Sequence, residues 1–287
     1  MNSRLRLVND RLFFIFAAGS GTLVLALLLS ILVLIASKGI ASVSWDFITQ
    51  PMRESGAKGG VLYQIAGTLI LVMTTSFIVI PISTGCAIFR SVYLKSTAVK
   101  KISTLFLYVL NGIPSVLFGL FGFFVFVKFL GMGKSWLTGG ILLAMMILPL
   151  VTLSLSESIE RIPAEYIENA RSIGLSRQIV IYTVILPQSA SGLISGILLG
   201  LARAAGETAP IMFTATIFSG ASFPKGVSES PVLTLPYHIL NLAQESYRPE
   251  ALQNAWGSAT VLIMVVVVLS LLALPFRFRS HEESQVL

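Results

Sequence analysis

Residues 192–210 read GLISGILLGLARAAGETAP and combine small, apolar and charged residues in one helical pattern. Small side chains recur every four residues along one face of the predicted helix, at Gly192, Gly196, Gly200 and Ala204. In a membrane, a stripe of this kind lets a second helix approach closely, because helix association there depends on van der Waals contact. We therefore predict a tightly packed transmembrane helix at this position.

The composition of the whole chain supports a membrane location. Of 287 residues, 55% are hydrophobic and 11% are charged, whereas soluble domains carry about a quarter charged residues. A helix needs about 20 apolar residues to cross a hydrocarbon core of about 30 Å. We place six such stretches at 12–37, 61–89, 103–130, 137–155, 192–217 and 255–274. The sequence thus predicts an all-α polytopic membrane protein with about six transmembrane helices.

The orientation of the chain in the membrane follows from the Lys and Arg residues that flank these stretches. Arg4, Arg6 and Arg11 precede the first one, but its apolar run exceeds the roughly 7–15 residues of a signal-peptide core, so we expect a retained anchor. If both termini are cytoplasmic, the inner segments carry twelve Lys and Arg residues and the outer segments carry seven. Inner loops are the ones enriched in these residues, which predicts cytoplasmic termini.

The chain divides into an N-terminal part, a core and a tail. Residues 1–58 are predicted to form an anchor helix and an external loop, 59–276 a transmembrane core, and 277–287 a cytoplasmic tail. Two glycine- and proline-containing segments, 38–60 and 218–252, are typical of irregular external loops. The cytoplasmic segment 157–188 has apolar residues at roughly helical spacing, interrupted by a glycine, which predicts one or two short amphipathic helices.

The composition gives little support to a nucleic-acid-binding protein or to a site built on cysteines. The net charge of +7 comes from basic residues scattered through the polar gaps, as expected for orientation in a membrane, so we expect no nucleic-acid partner. The single cysteine, Cys86, can form neither an internal disulfide nor a zinc site by itself.

The sequence also gives no indication of a nucleotide-binding site or of a catalytic site. Residues 131–135 read GMGKS, but a phosphate-binding loop needs a glycine five positions before Gly133, where this chain has Lys128. Another chain must therefore bind ATP-Mg if ATP is used, and we expect no cofactor or metal in this one. The two histidines, His238 and His281, lie outside the predicted spans, and the sequence contains no recognisable nucleophile–base pair.

The charged residues of the fifth stretch form the candidate substrate-pathway site, Arg203, Glu207 and Thr208. Arg203 lies about 16 Å into the predicted span, close to the midplane, where a guanidinium costs at least about 2.5–3.5 kcal/mol. Glu207 is one turn further on and can pair with it. The pair either fixes the helix as a neutralised unit or lines a polar pathway, and an arginine fork suits an anion. Pro210 is expected to break the helix shortly afterwards.

A second interruption lies in the third stretch. Residues 111–115 read Asn-Gly-Ile-Pro-Ser, and a broken helix at membrane depth is tolerated where it is buried in protein or lines a cavity. Two interrupted helices in one chain are a weak indication of a transport site between them.

The cytoplasmic segment carries a recognisable pattern. Glu168-Asn169-Ala170 is followed after three residues by Gly174 and after nine more by Val-Ile-Leu-Pro at 184–187. This resembles the coupling motif of bacterial ABC importer permeases, Glu-Ala-Ala, three residues, Gly, nine residues, Ile-x-Leu-Pro. Asn169 and Val184 depart from it. In that family the segment docks in a groove of the ATPase subunit. The resemblance implies this role for Glu168, Ala170, Gly174, Leu186 and Pro187.

A second resemblance narrows the family. The run LARAAGETAP at 201–210 looks like the fifth-helix signature of the PstA phosphate importer permeases, as do Gly-Ile-Pro-Ser at 112–115 and Gly-Leu-Phe-Gly at 119–122. PstC permeases share the Arg-Ala-x-Gly-Glu-Thr core, but the following Ala-Pro favours PstA. The resemblance covers about 59–276. Some family members carry an arginine near the end of the fourth helix, where this chain has Leu153.

The resemblance implies an ABC importer permease fold and a non-enzymatic permease subunit of an ATP-driven inorganic phosphate importer. Its implied partners are a PstC-like sister permease, a PstB-like ATPase dimer that binds ATP-Mg, a PstS-like phosphate-binding protein and the lipids of a bacterial inner membrane. A permease for phosphonate, sulfate or molybdate, or a PstC-like subunit, remains open. A self-sufficient channel would conduct without ATPase partners, and the long coupling segment speaks against it.

Overall fold

The computed structural model describes residues 3–217 and 223–286, with side chains described for 13–217 and 223–272. The first six helices are α1 (Ser3–Gly39), α2 (Trp45–Thr49), α3 (Leu62–Ile88), α4 (Thr97–Gly112), α5 (Ser115–Gly122) and α6 (Trp136–Glu160). The others in the described part are α7 (Ala164–Ser172), α8 (Arg177–Val180), α9 (Leu186–Gly206), α10 (Ala209–Thr214), α11 (Leu235–Gln244) and α12 (Pro249–Val286). The side chains of Arg4, Arg6, Arg11 and His281 lie outside the described part.

Short turns and a hairpin complete the described part of the chain. Three π-helical turns, Phe89–Tyr93, Phe123–Phe129 and Ile181–Ile185, extend or join longer helices. Single 3₁₀ turns lie at Ile40–Ser42 and Glu54–Gly56. Strands β1 (Met52–Arg53) and β2 (Lys58–Gly59) form a small antiparallel hairpin.

Within the described residues, five helical segments are long and apolar enough to cross a membrane, and a sixth span is the pair Thr97–Gly112 and Ser115–Phe129. The prediction of an all-α polytopic protein with about six transmembrane helices is therefore confirmed. This bent pair, which is third in chain order, has its two halves at an angle of 87°. The predicted stretch 103–130 is thus two nearly perpendicular helices instead of one.

The predicted fifth span, 192–217, is wrong at both ends. The helix begins earlier, at Arg177, and ends at Gly206, so the continuous segment is Arg177–Gly206. Pro210 explains the end, because its ring clashes with the carbonyl four residues before it and it cannot donate a backbone hydrogen bond. That carbonyl belongs to Gly206, where the helix stops.

The predicted external loops contain more regular structure than expected. Helix α11 lies inside the segment 218–252, and α2 and the β-hairpin lie inside 38–60; residues 218–222 are outside the described part. Pro236 stands in the first turn of α11, where its missing N–H is tolerated. Leu235 and Leu242 of α11 are buried, and this burial stabilises the ten-residue helix. The sequence did not predict the helix because the prolines of the segment are typical of loops.

Helix α6 is the central element of the bundle. Its side chains Leu142, Leu143, Met146 and Ile147 are buried, and they form the main core with residues of α3, α9 and α10. A helix that is apolar on all sides is expected at such a position. Its polar end, Ser154 to Glu160, extends the helix past the predicted limit at residue 155.

Helix α1 lies at the side of the bundle and contacts α12. A Cβ at Gly39 would lie 2.3 Å from the carbonyl oxygen of Trp256, so only glycine permits this approach. Thr260 Oγ1 donates to the carbonyl of Ile35 at 3.2 Å. Most other described side chains of α1 are exposed and apolar, as expected for a helix that faces lipid or another chain.

Candidate substrate pathway and coupling segment

The junction between α9 and α10 is the first of two helix breaks at the candidate site. Helix α9 ends at Gly206, and Glu207 is extended, with φ −72° and ψ 129°. Helix α10 then starts at Ala209 with Pro210 in its first turn. The carbonyl of Thr208 accepts a hydrogen bond from the N–H of Met212 at 3.0 Å. Thr208, one of the predicted pathway residues, therefore caps the start of α10 with its backbone carbonyl.

The second break lies between α4 and α5. Ile113 and Pro114 are extended, with ψ values of 130° and 133°. A residue before proline is pushed away from helical geometry because the proline ring crowds it. Helix α4 consequently ends at Gly112, directly after Asn111.

The second halves of the two broken helices, α5 and α10, pack against each other. A Cβ at Gly119 would lie 2.9 Å from the carbonyl oxygen of Ala209 and 3.0 Å from Cα of Pro210. A Cβ at Gly122 would lie 3.0 Å from Cγ2 of Thr214. These two glycines therefore permit the close contact that brings the two breaks together.

Arg203 joins the two breaks. Its Nη1 donates to Oδ1 of Asn111 at 3.1 Å, and its Nε donates to Oε1 of Glu207 at 3.3 Å. The side chain of Arg203 is 35% exposed, whereas that of Glu207 is 16% exposed. Because Glu207 has left the helix, the pair bridges a helix end instead of lying along a continuous helical face.

The arrangement can hold an anion. A guanidinium carries five N–H donors in a planar fork, and two of them are used in the contacts just described. The partly exposed side chain can present its other donors to a carboxylate, phosphate or related oxyanion. Glu207 is an acceptor when ionised and balances the arginine charge.

Asn111 is the site residue that the sequence did not single out. It was visible only as the first residue of an interrupted stretch, and asparagine before Gly-x-Pro is also common in ordinary turns. Its distance of 92 residues from Arg203 hides the contact in the sequence. Leu153 is buried in α6.

The small-residue stripe of α9 faces α6. A Cβ at Gly192 would lie 2.2 Å from Cβ of Ser158, and one at Gly196 would lie 2.8 Å from Cβ of Ser154. Gly200 also lies close to α6, because an added Cβ would be 3.1 Å from Cδ1 of Ile147 and 3.2 Å from Cγ2 of Val151, and Ala204 is buried in the main core. The two helices are also linked by Ser154 Oγ, which donates to the carbonyl of Gly192 at 2.8 Å.

The predicted coupling segment contains a short exposed helix followed by a glycine turn. In α7, Ala170 is buried against an apolar cluster, while Glu168 is exposed. Gly174 has φ +85°, a conformation that favours glycine. The N–H of Leu175 closes the turn on the carbonyl of Ala170 at 3.2 Å.

Leu186 and Pro187 have a different environment from Glu168. They lie at the start of α9, inside the continuous helix that begins at Arg177. Leu186 packs on the apolar cluster beneath the segment, and Pro187 is exposed. The structure therefore separates the predicted coupling residues into an exposed helix and a helix that supports it.

Comparison with known proteins identifies the family. The family described as "Binding-protein-dependent transport system inner membrane component" matches residues 78–281. The chain is 31% identical to the "Probable phosphate transport system permease protein PstA" of Methanocaldococcus jannaschii, over 97% of this chain and 96% of that protein. It is 28% identical to the "Probable ABC transporter permease protein YqgI" of Bacillus subtilis, over 93% and 95%.

A solved structure supports the fold. An inward-facing structure of the MetNI methionine ABC transporter aligns with a TM-score of 0.53 and 15% identity, over 79% of this chain and 94% of that one. The chain therefore belongs to the inner-membrane components of binding-protein-dependent transport systems, the multi-pass permease subunits of ABC importers.

Proposed function

We propose that this chain is the PstA-type permease subunit of an ATP-driven importer of inorganic phosphate. The observation that carries the proposal is the Arg203 guanidinium, held by Asn111 and Glu207 where two broken helices meet. Its planar fork matches the oxygens of a phosphate group. The PstA of Methanocaldococcus jannaschii, whose name gives phosphate transport, supports the choice of anion.

In this proposal Arg203 contacts the anion only transiently. Glu207 balances the arginine charge while the pathway is empty, and the arriving anion competes for the same donors. A site that bound phosphate too tightly would retain it, because transport requires entry and release. The shared contacts of Arg203 suit this requirement, since the anion must displace existing hydrogen bonds.

The proposed complex supplies what this chain lacks. A PstC-like sister permease would complete the pathway, and a PstS-like phosphate-binding protein would deliver the anion from outside. A PstB-like ATPase dimer would bind ATP-Mg and dock against residues 168–174. This chain would bind no cofactor and catalyse no reaction itself. The exposed helix α7 and its glycine turn support such docking.

The proposed location is the bacterial cytoplasmic membrane with both termini in the cytoplasm. The excess of Lys and Arg in the inner segments supports this orientation. The exposed apolar surface of α1 fits contact with lipid or with the sister permease.

The main alternative is a permease for another oxyanion, because an arginine fork binds phosphonate, sulfate and molybdate by similar hydrogen bonds. A PstC-like role is disfavoured by Ala209-Pro210, which starts α10. The two substrate proposals differ in the anion transported, which one assay can decide.

The test is ATP-dependent uptake into vesicles that contain this chain, the candidate sister permease, the ATPase and the binding protein. We expect uptake of labelled phosphate that needs ATP and that exceeds uptake of sulfate, molybdate and a phosphonate. A complex with residues 168–174 scrambled serves as the control and should assemble poorly with the ATPase. Preferred uptake of another oxyanion would overturn the substrate, and flux without nucleotide would instead indicate a channel.

A further inference from the structure

A π-helical turn, Phe89–Tyr93, ends the second transmembrane helix on the side of the coupling segment. Arg90 lies in this turn with its side chain only 11% exposed. Its Nη2 donates to Oγ1 of Thr104 at 2.8 Å, and its Nη1 lies 3.3 Å from Oε1 of Glu160. Neither Arg90 nor this turn belongs to the substrate site described above.

The π turn contacts the chain on both sides of α7 and the Gly174 turn. Glu160 is the last residue of α6, just before α7, and Arg177 is the first residue of α8, just after the Gly174 turn. Glu160 pairs with Arg90, while Cζ of Arg177 lies 5.2 Å from the ring centroid of Tyr93. A displacement of the segment therefore acts on the π turn from both sides.

The same turn holds α4. Thr104 accepts from Arg90 and donates its own proton to the carbonyl of Lys100 at 2.8 Å. The Nζ of Lys100 returns to the carbonyl of Ser91 at 3.3 Å. Asn111 lies seven residues beyond Thr104 on the same helix, about 10 Å along its axis. Helix α4 thus carries an Arg90 contact at one level and the Arg203 contact two turns further.

The contacts of Arg90 are incomplete in this conformation. Its Nε and Nη1 are buried and make no hydrogen bond with any residue that the structure describes, although Nη1 has the ionic contact with Glu160. Buried donors without hydrogen-bond acceptors are unfavourable. A small shift of Glu160 would bring its carboxylate into hydrogen-bonding geometry with Nη1, which already lies 3.3 Å away, so the contact has a second favourable arrangement within reach.

We propose that Arg90 is a positioning residue that transmits movement of the coupling segment to α4, and through α4 to the Asn111–Arg203 contact. The inference rests on the proposed function only in requiring ATP-driven transport by the assembled complex; the identity of the anion does not enter. Two sites joined by one rigid helix are coupled when both bias the same arrangement.

The test is the number of ATP molecules hydrolysed per anion transported by the complete complex in vesicles. We expect Arg90→Gln and Thr104→Val to raise this ratio by about fivefold or more, with ATP hydrolysis within about twofold of wild type. Arg90→Lys should give an intermediate ratio, because a lysine cannot reach both partners with a planar fork. Lys101→Gln, at an exposed position of α4, is the charge-matched control and should leave the ratio unchanged.

A wild-type ratio in Thr104→Val, or an equal fall of uptake and ATP hydrolysis in both variants, would overturn the proposal. If Arg90→Gln fails to assemble, Thr104→Val decides, since it only replaces a hydroxyl with a methyl group of similar size. The choice of anion by the wild-type complex distinguishes a failure of the substrate proposal from a failure of this inference. If it transports another oxyanion, the phosphate proposal fails while the ratio measured with that anion still tests Arg90.

Discussion

Asn111 and Arg203 are 92 residues apart in the chain and are joined by a hydrogen bond of 3.1 Å from Nη1 to Oδ1. Each residue lies at the end of a helix that stops inside the predicted membrane-spanning part, at Gly112 and Gly206. The bond therefore connects two helix breaks. In the proposed function, an anion that competes for Arg203 would act on both breaks at once.

Changing the charge at Asn111 should alter transport. We predict that Asn111→Asp lowers the initial rate of phosphate uptake by about tenfold, because a carboxylate holds the guanidinium more strongly than an amide does. Asn111→Ala should have a smaller effect, since it only removes one acceptor. The measurement is uptake by equal amounts of assembled complex, and a higher rate in Asn111→Asp than in Asn111→Ala would contradict the interpretation.

The α6–α9 contact should not tolerate a methyl group at Gly192. A Cβ there would lie 2.2 Å from Cβ of Ser158, so Gly192→Ala should lower stability by about 1–3 kcal/mol through overpacking. Thermal unfolding of the purified protein measures this. Gly85→Ala is the matched control, because nothing lies within 4 Å of its added Cβ. It should be neutral or stabilising by up to about 1 kcal/mol, and equal losses in the two variants would exclude a packing effect.

The turn at Gly174 should depend on its backbone conformation alone. Its φ is +85°, and an added Cβ would meet nothing within 4 Å. Gly174→Ala should therefore destabilise the turn locally by about 1–2 kcal/mol. We expect faster proteolysis at the coupling segment and weaker retention of the ATPase, with the thermal unfolding of the membrane bundle unchanged. Wild-type retention of the ATPase would show that the turn is not required for docking.

His238 should make the part of the protein around α11 sensitive to acid. It is 5% exposed in α11, and burial lowers its pKa from 6.5 to about 4. Between pH 6.5 and about pH 4, the unfolded chain therefore binds a proton at His238 that the folded chain does not bind. The free energy of unfolding should fall as the pH drops from about 6.5, by about 3 kcal/mol at pH 4.

The check on His238 is the slope of stability against pH. His238→Gln does not titrate in this range and should show a shallower loss between pH 6.5 and 4. Local opening of α11 can be followed by hydrogen exchange, which reports regions that open before global unfolding. Parallel slopes in wild type and variant would mean that other groups cause the acid sensitivity.

Much of the transmembrane architecture can be predicted from the sequence, because apolar runs of sufficient length have few alternatives in lipid. The position of a break is harder to predict. Pro210 indicated that the fifth helix is interrupted, but the clash acts four residues earlier, and the helix ends at Gly206. Helix α11 was hidden because Pro236 and its neighbours are typical of loops, whereas burial of Leu235 and Leu242 decides the structure.

The candidate site was predictable in part. Arg203 and Glu207 are conspicuous because charges inside an apolar stretch are unfavourable without a partner. The contact with Asn111 depends on the packing of α5 against α10, and no local pattern specifies that contact. The role proposed for Arg90 could not be predicted either. A basic residue at the cytoplasmic end of a transmembrane helix is already expected from the rule for membrane orientation.

The most direct test of the central claim is ATP-driven phosphate uptake by vesicles that contain the complete complex with wild-type chain, Arg203→Ala or Arg203→Lys. We predict that Arg203→Ala loses at least about tenfold in uptake rate, because a charge-assisted contact to the anion is removed, and that Arg203→Lys recovers only part of it. Arg53→Ala, an exposed arginine in β1, is the control and should transport normally. Full phosphate uptake by a normally assembled Arg203→Ala complex would contradict the account.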